Sequence, residues 1–306
     1  MSNPLCPVTG EPAARLVQWI DAGFLAELWR IEFKTDARPS FKSQKQFGLW
    51  ESPSGLYFVD PAYEGDHEFY LQLYSYLIAH KLWARAALRD EYARAAKRIR
   101  PGDRVLDVGC GDASFRGVIP EASYVGLDPN MAAFVDGVLG ETLAEHLREH
   151  AGSYDAVCAF QVVEHVTAPR EMFAEMVRAA KPGGLVMIGV PQVPSALTRI
   201  PNFLINAPPH HLTWWTKEAL AVLATRCGAT VESIEAASWT EYDSLVYWIS
   251  RCCPIRCRDV HFRHAWSWHA ATLIGFLLGR LMYAVRPLPK TRDEGAGLLL
   301  VARRTS

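Results

Sequence analysis

The feature that most constrains this chain is a rhythm between residues 103 and 236, where short apolar runs alternate with amphipathic stretches. Arg104-Val-Leu-Asp-Val108, Ser123-Tyr-Val-Gly-Leu127, Tyr154-Asp-Ala-Val-Cys-Ala-Phe160 and Gly184-Leu-Val-Met-Ile-Gly-Val190 read as strands. Between the last two, a helix is expected to start at Pro169. Its apolar stripe is Met172, Phe173, Met176 and Val177, and Lys181-Pro-Gly-Gly184 ends it. Strands that are apolar throughout and separated by helices call for a parallel sheet covered on both faces. The fold class is therefore α/β, a doubly wound, mostly parallel sheet.

Four regions follow from the same reading. Residues 1–65 read as an irregular N-terminal module with turn-like pieces at Cys6-Pro-Val-Thr-Gly10 and Ser52-Pro-Ser-Gly55. Residues 66–100 read as a helical linker, with Phe69, Leu73, Leu77 and Leu82 at helical intervals and Pro101-Gly102-Asp103 as its stop. The core covers 101–236 and returns at 295–306 with the strand Gly297-Leu-Leu-Leu-Val-Ala302. Residues 237–294, rich in Trp, His and Arg, read as a helical cap inserted before that strand. The most apolar run, Ala270 to Val285, carries Arg280, and spanning a bilayer takes about 20 residues. A buried or interfacial helix is expected there, with no transmembrane span.

Composition removes whole classes of function. The chain is 50% hydrophobic, too apolar for a disordered chain, and 32 Lys+Arg against 33 Asp+Glu leave no bulk positive charge for nucleic acid. Seven cysteines, an odd number, and an N-terminus without a basic-then-apolar leader point to a cytoplasmic protein with reduced thiols.

The chemistry concentrates at Val105-Leu-Asp-Val-Gly-Cys-Gly-Asp-Ala-Ser-Phe115. A strand runs into Gly109-Cys110-Gly111, where glycines allow a sharp turn and close approach of a ligand, and a helix is expected next. Asp128 ends the following strand, where a carboxylate can accept both hydroxyls of a ribose. A dinucleotide turn would carry a third glycine, but Ser114 stands there, and Asp112 would repel a pyrophosphate. S-adenosylmethionine carries a sulfonium, an ammonium and no phosphate, and so suits the acidic turn better. A nicotinamide-dependent oxidoreductase is the weaker enzyme reading.

At this point the sequence resembles the class I S-adenosylmethionine-dependent methyltransferases, closest to the ubiquinone-biosynthesis-type and sugar or natural-product subgroup. Val105-Leu-Asp-Val-Gly-Cys-Gly111 matches the first motif of that family and Tyr124-Val-Gly-Leu-Asp-Pro-Asn130 the second. Tyr154 to His165 matches the strand-four motif, and Lys181-Pro-Gly-Gly184 the turn before strand five. The resemblance covers about residues 100–235 and implies a seven-stranded sheet with S-adenosylmethionine as cofactor. It implies that Gly109, Cys110 and Gly111 line the methionine moiety and that Asp107 fixes the turn or reaches the ammonium through water. Asp128 with Pro129 would bind the ribose, Glu141 and Thr142 would contact the cofactor after strand three, and Phe160 and Gln161 would border cofactor and substrate.

Substrate chemistry has two histidine sites, Glu164-His165 after strand four and His210-His211 after strand five. Either can serve as a general base, His210 being favoured because Pro208 and Pro209 stiffen its turn. His211, Trp214 and Trp215 are read as substrate contacts, and Thr216 as the N-cap of a helix. No metal ligand is assigned. Cys6 and Glu51-Ser-Pro-Ser-Gly55 resemble zinc knuckles that have lost their ligands, leaving a degenerate module that packs on the cleft. Cys253, Cys257 and His261 step by four along an expected helix, with Cys252 beside them, and only neighbouring pairs could share an ion. Arg251, Arg256, Arg258 and Arg263 would face outward. The stripe Leu273, Leu277 and Leu281 would face the core, a second copy of the chain, or a membrane surface met peripherally. The expected activity is in-line methyl transfer to an oxygen or carbon of a small or medium organic acceptor. The alternative outside catalysis is an inactive binding or partner subunit of the same fold.

Overall fold

A computed structural model describes residues 3–80, 89–130, 135–238, 241–286 and 296–305, Tyr242 by its backbone alone. Its strands are β1 (Arg15–Asp21), β2 (Gln46–Glu51), β3 (Tyr57–Asp60), β4 (Arg104–Val108), β5 (Ser123–Leu127), β6 (Val138–Leu139), β7 (Tyr154–Phe160), β8 (Ala180–Pro191), β9 (Thr213–Trp214), β10 (Ala229–Ala236) and β11 (Gly297–Arg304). Its helices are α1 (Ala22–Phe33), α2 (His67–Ala79), α3 (Asp90–Ala96), α4 (Leu143–His150), α5 (Pro169–Ala179), α6 (Lys217–Arg226), α7 (Glu241–Cys252) and α8 (Trp266–Val285).

Seven strands form the main sheet in the order β10-β11-β8-β7-β4-β5-β6. The run from β8 to β6 is parallel, and β11 lies antiparallel to both of its neighbours. Successive side chains enter opposite cores. Leu106, Val157, Ile188 and Leu300 meet α4, α5 and α6 through Leu147, Phe173, Met176 and Leu223. Val105, Cys158, Met187 and Val301 meet Tyr92 and Ala95 of α3 and Phe115. Both faces are covered, which is why these strands read as unbroken apolar runs. The β4, β5 and β7 bounds coincide with the expected ones, and α5 starts at Pro169. Lys181-Pro-Gly-Gly184 does not simply end α5. It is a loop inside the start of β8, with Gly183 at φ +74°, and pairing with β7 skips from Ala180 to Leu185.

The N-terminal module departs from the sequence reading. It is not irregular: residues 15–60 form three strands and a twelve-residue helix. β1, β2, β3 and β9 make a separate antiparallel sheet in that order. Its core gathers Leu25, Trp29, Phe47 and Leu49 with Phe69 and Leu73 of α2, then Val193, Leu204, Trp214 and Phe262 from the far half of the chain. Because β9 lies in the connection after β8, the small sheet is stitched to the carboxyl edge of the large one.

The cap also differs. α7 ends at Cys252, so Cys253, Cys257 and His261 do not share a helix. Their polar atoms go to separate backbone carbonyls, those of Ala271, His261 and Thr198. α8 packs closely on α7, since a Cβ on Gly279 would lie 2.6 Å from the Ile249 backbone. Its other face is open, with Leu273, Leu277 and Leu281 each more than half exposed. The buried alternative for this helix is therefore excluded. It is one helix long and apolar enough to cross a membrane, by length and composition.

Candidate active site

The glycine turn is built by its backbone. The Gly109 and Cys110 amides both donate to the Leu127 carbonyl at the end of β5, at 2.7 and 3.1 Å. Gly109 and Gly111 take φ of +69° and +55°, a region costly for side chains. A Cβ on Gly109 would strike Val162 at 2.6 Å, whereas one on Gly111 would enter open space. The turn is thus closed on the protein side and open on the other. The Gly111 amide donates to Asp128 at 2.9 Å, and the second Asp128 oxygen accepts from the Asn130 amide at 2.9 Å. Both oxygens keep lone pairs for a ribose. Pro129 is exposed just beyond them.

No long helix follows this turn. Ser114–Val118 is a five-residue 3-10 segment, which removes the helix N-terminus that a pyrophosphate would need. Asp112 accepts from the Ser114 amide and hydroxyl. Asp107 lies buried beneath the turn and accepts a hydrogen bond from the Tyr124 hydroxyl at 2.9 Å. Burial pushes its carboxyl up to about 7. The Cys110 side chain points inward, filling the space over Gly126, and burial pushes its thiol up to about 12. Only its backbone can border a ligand.

Three of the expected cofactor contacts have structural duties. Thr142 caps α4 in a capping box with Glu145, and Glu141 bonds His146 at 2.6 Å. Phe160 packs between Tyr92 and Phe115, ring centroids 4.8 Å from each, inside the core. Gln161 does sit at the strand end, at φ +58°, its amide nitrogen donating to the buried Glu91 carboxylate at 3.1 Å.

Across from the turn, the two histidine sites become one. The rings of His165, His210 and His211 have centroids 4.5 to 4.9 Å apart, and one ring nitrogen of each lies within 4.8 Å of the others. Each Nδ1 faces an oxygen: the His210 carbonyl for His165, the Ile205 carbonyl for His210, and the Asn206 side chain for His211. The two carbonyls make Nδ1 the donor in His165 and His210, and His165 has a second backbone contact at Gln161. Burial lowers His165 to about 4, and burial plus neighbouring rings hold His210 and His211 well below the usual imidazole range. Glu164 is fully buried and pushed up to about 8 by the same cause. The 4.0 Å contact from His165 Nε2 to Glu164 is thus neutral on both sides at pH 7, not an ion pair. Neither Glu164 oxygen has a hydrogen-bond partner among the described residues, nor does the buried Tyr70 hydroxyl.

Trp29 and Tyr70, which the sequence reading missed, cover this cluster. The Tyr70 ring lies 6.1 Å from His165 and 6.2 Å from His210, and Trp29 lies 6.2 Å from His210. The Trp29 indole donates to the Pro208 carbonyl at 3.0 Å. No local signal marks these two aromatics, because they reach the site through α1 and α2 of the N-terminal module. Trp214 and Trp215 do not wall an open cleft. Trp214 packs in the core beside Tyr57 and His261, and Trp215 is fully buried in the main core. Thr216 caps α6 as expected.

Comparison with known proteins agrees with this geometry. The family described as a methyltransferase domain matches residues 80–234, just over half of the chain. The ubiquinone biosynthesis O-methyltransferase of Cronobacter sakazakii is 35% identical over 103 residues, 28% of this chain and 41% of the relative. Its Escherichia coli counterpart is 34% identical over 101 residues, 27% and 40% respectively. The match thus spans about two-fifths of the length of these relatives. A solved S-adenosylmethionine-dependent methyltransferase from Archaeoglobus fulgidus shares the fold, with a TM-score of 0.50 at 20% identity over 76% of this chain and all of that one. The chain belongs to the class I S-adenosylmethionine-dependent methyltransferases.

Proposed function

We propose that this chain transfers a methyl group from S-adenosylmethionine to an oxygen of a small or medium organic acceptor, carbon being the second choice. The observation that carries the proposal is the juxtaposition of two half-sites at one sheet edge. The open glycine turn with Asp128 faces one way, and Val162, which abuts Gly109, leads within three residues to the histidine cluster. The names of the curated relatives support oxygen as the target atom.

When bound, the cofactor supplies a methyl group already activated on sulfonium. The chain's own work is then mainly positioning. Gly109 and Gly111 admit the methionine portion, Asp128 holds the ribose, and Asp107 steadies the turn from beneath. An acceptor hydroxyl donates to Nε2 of His165 or His210. The Nε2 of His165 or His210 would take the acceptor proton as the methyl group leaves sulfur for the acceptor oxygen. Because burial disfavours imidazolium here, orientation of the hydroxyl is the larger part of the role. His211 and Tyr70 shape the same wall.

Seven free thiols support a reducing, cytoplasmic compartment. The open face of α8 supports contact with an apolar surface, either a membrane or a second copy of the chain. The test is calorimetry with S-adenosylmethionine and with NAD(H), followed by labelled methyl transfer to a panel of hydroxylated small molecules. Binding of the first ligand alone, with transfer, supports the reading. NAD(H) binding refutes it. S-adenosylmethionine binding without transfer to any acceptor favours the inactive partner subunit.

A further inference from the structure

We propose that His165, His210 and His211, with the Glu164 carboxylate beside them, form a binding site for one divalent first-row transition-metal ion. Three observations converge on it. One nitrogen from each ring already lies within 4.8 Å of the others. All three Nδ1 atoms lie on oxygen acceptors, the arrangement that fixes the tautomer of a ligating imidazole. The His210 and His211 rings lie stacked at 18°, so one of them must turn about its side-chain bonds before both can meet one ion. Finally, Glu164 offers two fully buried oxygens with no hydrogen-bond partner among the described residues, and its Oε1 lies 4.0 Å from His165 Nε2.

The chemistry of the donor set names the class of ion. Neutral imidazole suits zinc, cobalt, nickel, copper and iron, and a single carboxylate adds one hard oxygen without making the site one for magnesium or calcium. Zinc–nitrogen bonds of about 2.0–2.1 Å hold tetrahedral ligands roughly 3.3 Å apart. The rings must therefore close by about 1.5 Å from their widest separation. The backbone is already braced for this. The amides of Leu212 and Thr213 both donate to the Glu164 carbonyl, at 2.8 and 3.2 Å, which fastens the two ligand-bearing loops together. The cysteine-bearing cap offers no competing cluster among the described residues, since Cys253, Cys257 and His261 each spend their polar atom on a backbone carbonyl.

The site itself stands on these residues alone. Only its use rests on the methyl-transfer reading: an ion held by three nitrogens keeps a position at which an acceptor oxygen can bind. The two uses of Nε2 exclude each other. With the ion in place, the acceptor oxygen meets metal and not bare imidazole.

The experiment titrates the chelator-treated, full-length protein with Co²⁺, read by visible d–d absorption, and then displaces it with Zn²⁺. One ion per chain is expected. His211→Gln and Glu164→Gln should each weaken binding by about 10–100-fold or more, while S-adenosylmethionine affinity and the melting curve stay close to wild type. Cys257→Ser and His261→Gln should leave the cobalt spectrum intact. No spectral change in the wild type overturns the proposal. So does a cobalt spectrum that persists in the folded His165→Gln/His211→Gln double variant. S-adenosylmethionine binding is measured in the same samples. Its loss with cobalt binding intact sinks the methyltransferase function and leaves the metal site. The reverse result does the opposite.

Discussion

The two halves of the site are built in opposite ways. The donor half is local: residues 105–128 supply the strand, the turn and the carboxylate, joined by backbone hydrogen bonds to one neighbouring strand. The acceptor half is assembled from distance. Trp29, Tyr70, His165 and His210 come from four separate stretches, brought together by a second sheet whose last strand, β9, lies more than 150 residues after β3. A local half is held mostly by its own short-range bonds, whereas a distributed half depends on the packing of everything that carries it.

That contrast can be broken most directly at Trp29. Its ring is fully buried in the N-terminal core, so Trp29→Ala should cost about 3–5 kcal/mol, measured by denaturant unfolding. If the halves are independent, S-adenosylmethionine affinity of the folded fraction should remain near wild type. A parallel collapse of affinity would show that the donor half leans on the module after all. Asp128→Ala tests the other half. Loss of charged hydrogen bonds worth about 1.5–3 kcal/mol should weaken S-adenosylmethionine roughly 10- to 150-fold in calorimetry, with the cobalt spectrum untouched.

Asp107 sharpens the comparison through pH. Its folded carboxyl holds the proton more tightly than an unfolded chain would, so its contribution to stability falls as pH rises from about 4 through about 7. The melting temperature of Asp107→Asn should therefore gain on that of the wild type across this interval and level off above it. A difference independent of pH would show that the group is ionised throughout. The smallest effect is expected at Thr142. Thr142→Ala removes the cap of α4 and should cost about 0.5–2 kcal/mol, with little change in cofactor affinity if its role is the capping box. A large loss of affinity would return Thr142 to the cofactor.

Legibility in the sequence followed the same division. β4 and β7 are readable to the residue because both faces of each strand are buried, which leaves an apolar run with sharp ends, whereas β5 starts at the exposed Ser123 and is fully buried only at Gly126 and Leu127. The helix α1 was not readable. It begins at Ala22 directly after β1, with Asp21 serving both as the last strand residue and as N-cap, so no turn residues separate the two. Thr142 and Glu145 did carry a signal, since Thr-x-x-Glu is a capping box, and it outweighed position after a strand. The meeting of His165 with His210, 45 residues apart, had no local trace. Neither did the burial of Trp214, whose neighbours come from β3 and the cap, nor that of Trp215 in the main core.

The Glu164 carbonyl, accepting from Leu212 and Thr213, has a consequence for how this cleft can open. Thr213 belongs to β9 and is hydrogen-bonded to β3, and Val59 of β3 reaches the Leu212 carbonyl at 2.9 Å. The histidine-bearing connection therefore cannot swing aside as a loose flap. Any displacement of that connection carries β3 with it, so the acceptor wall and the N-terminal sheet move together.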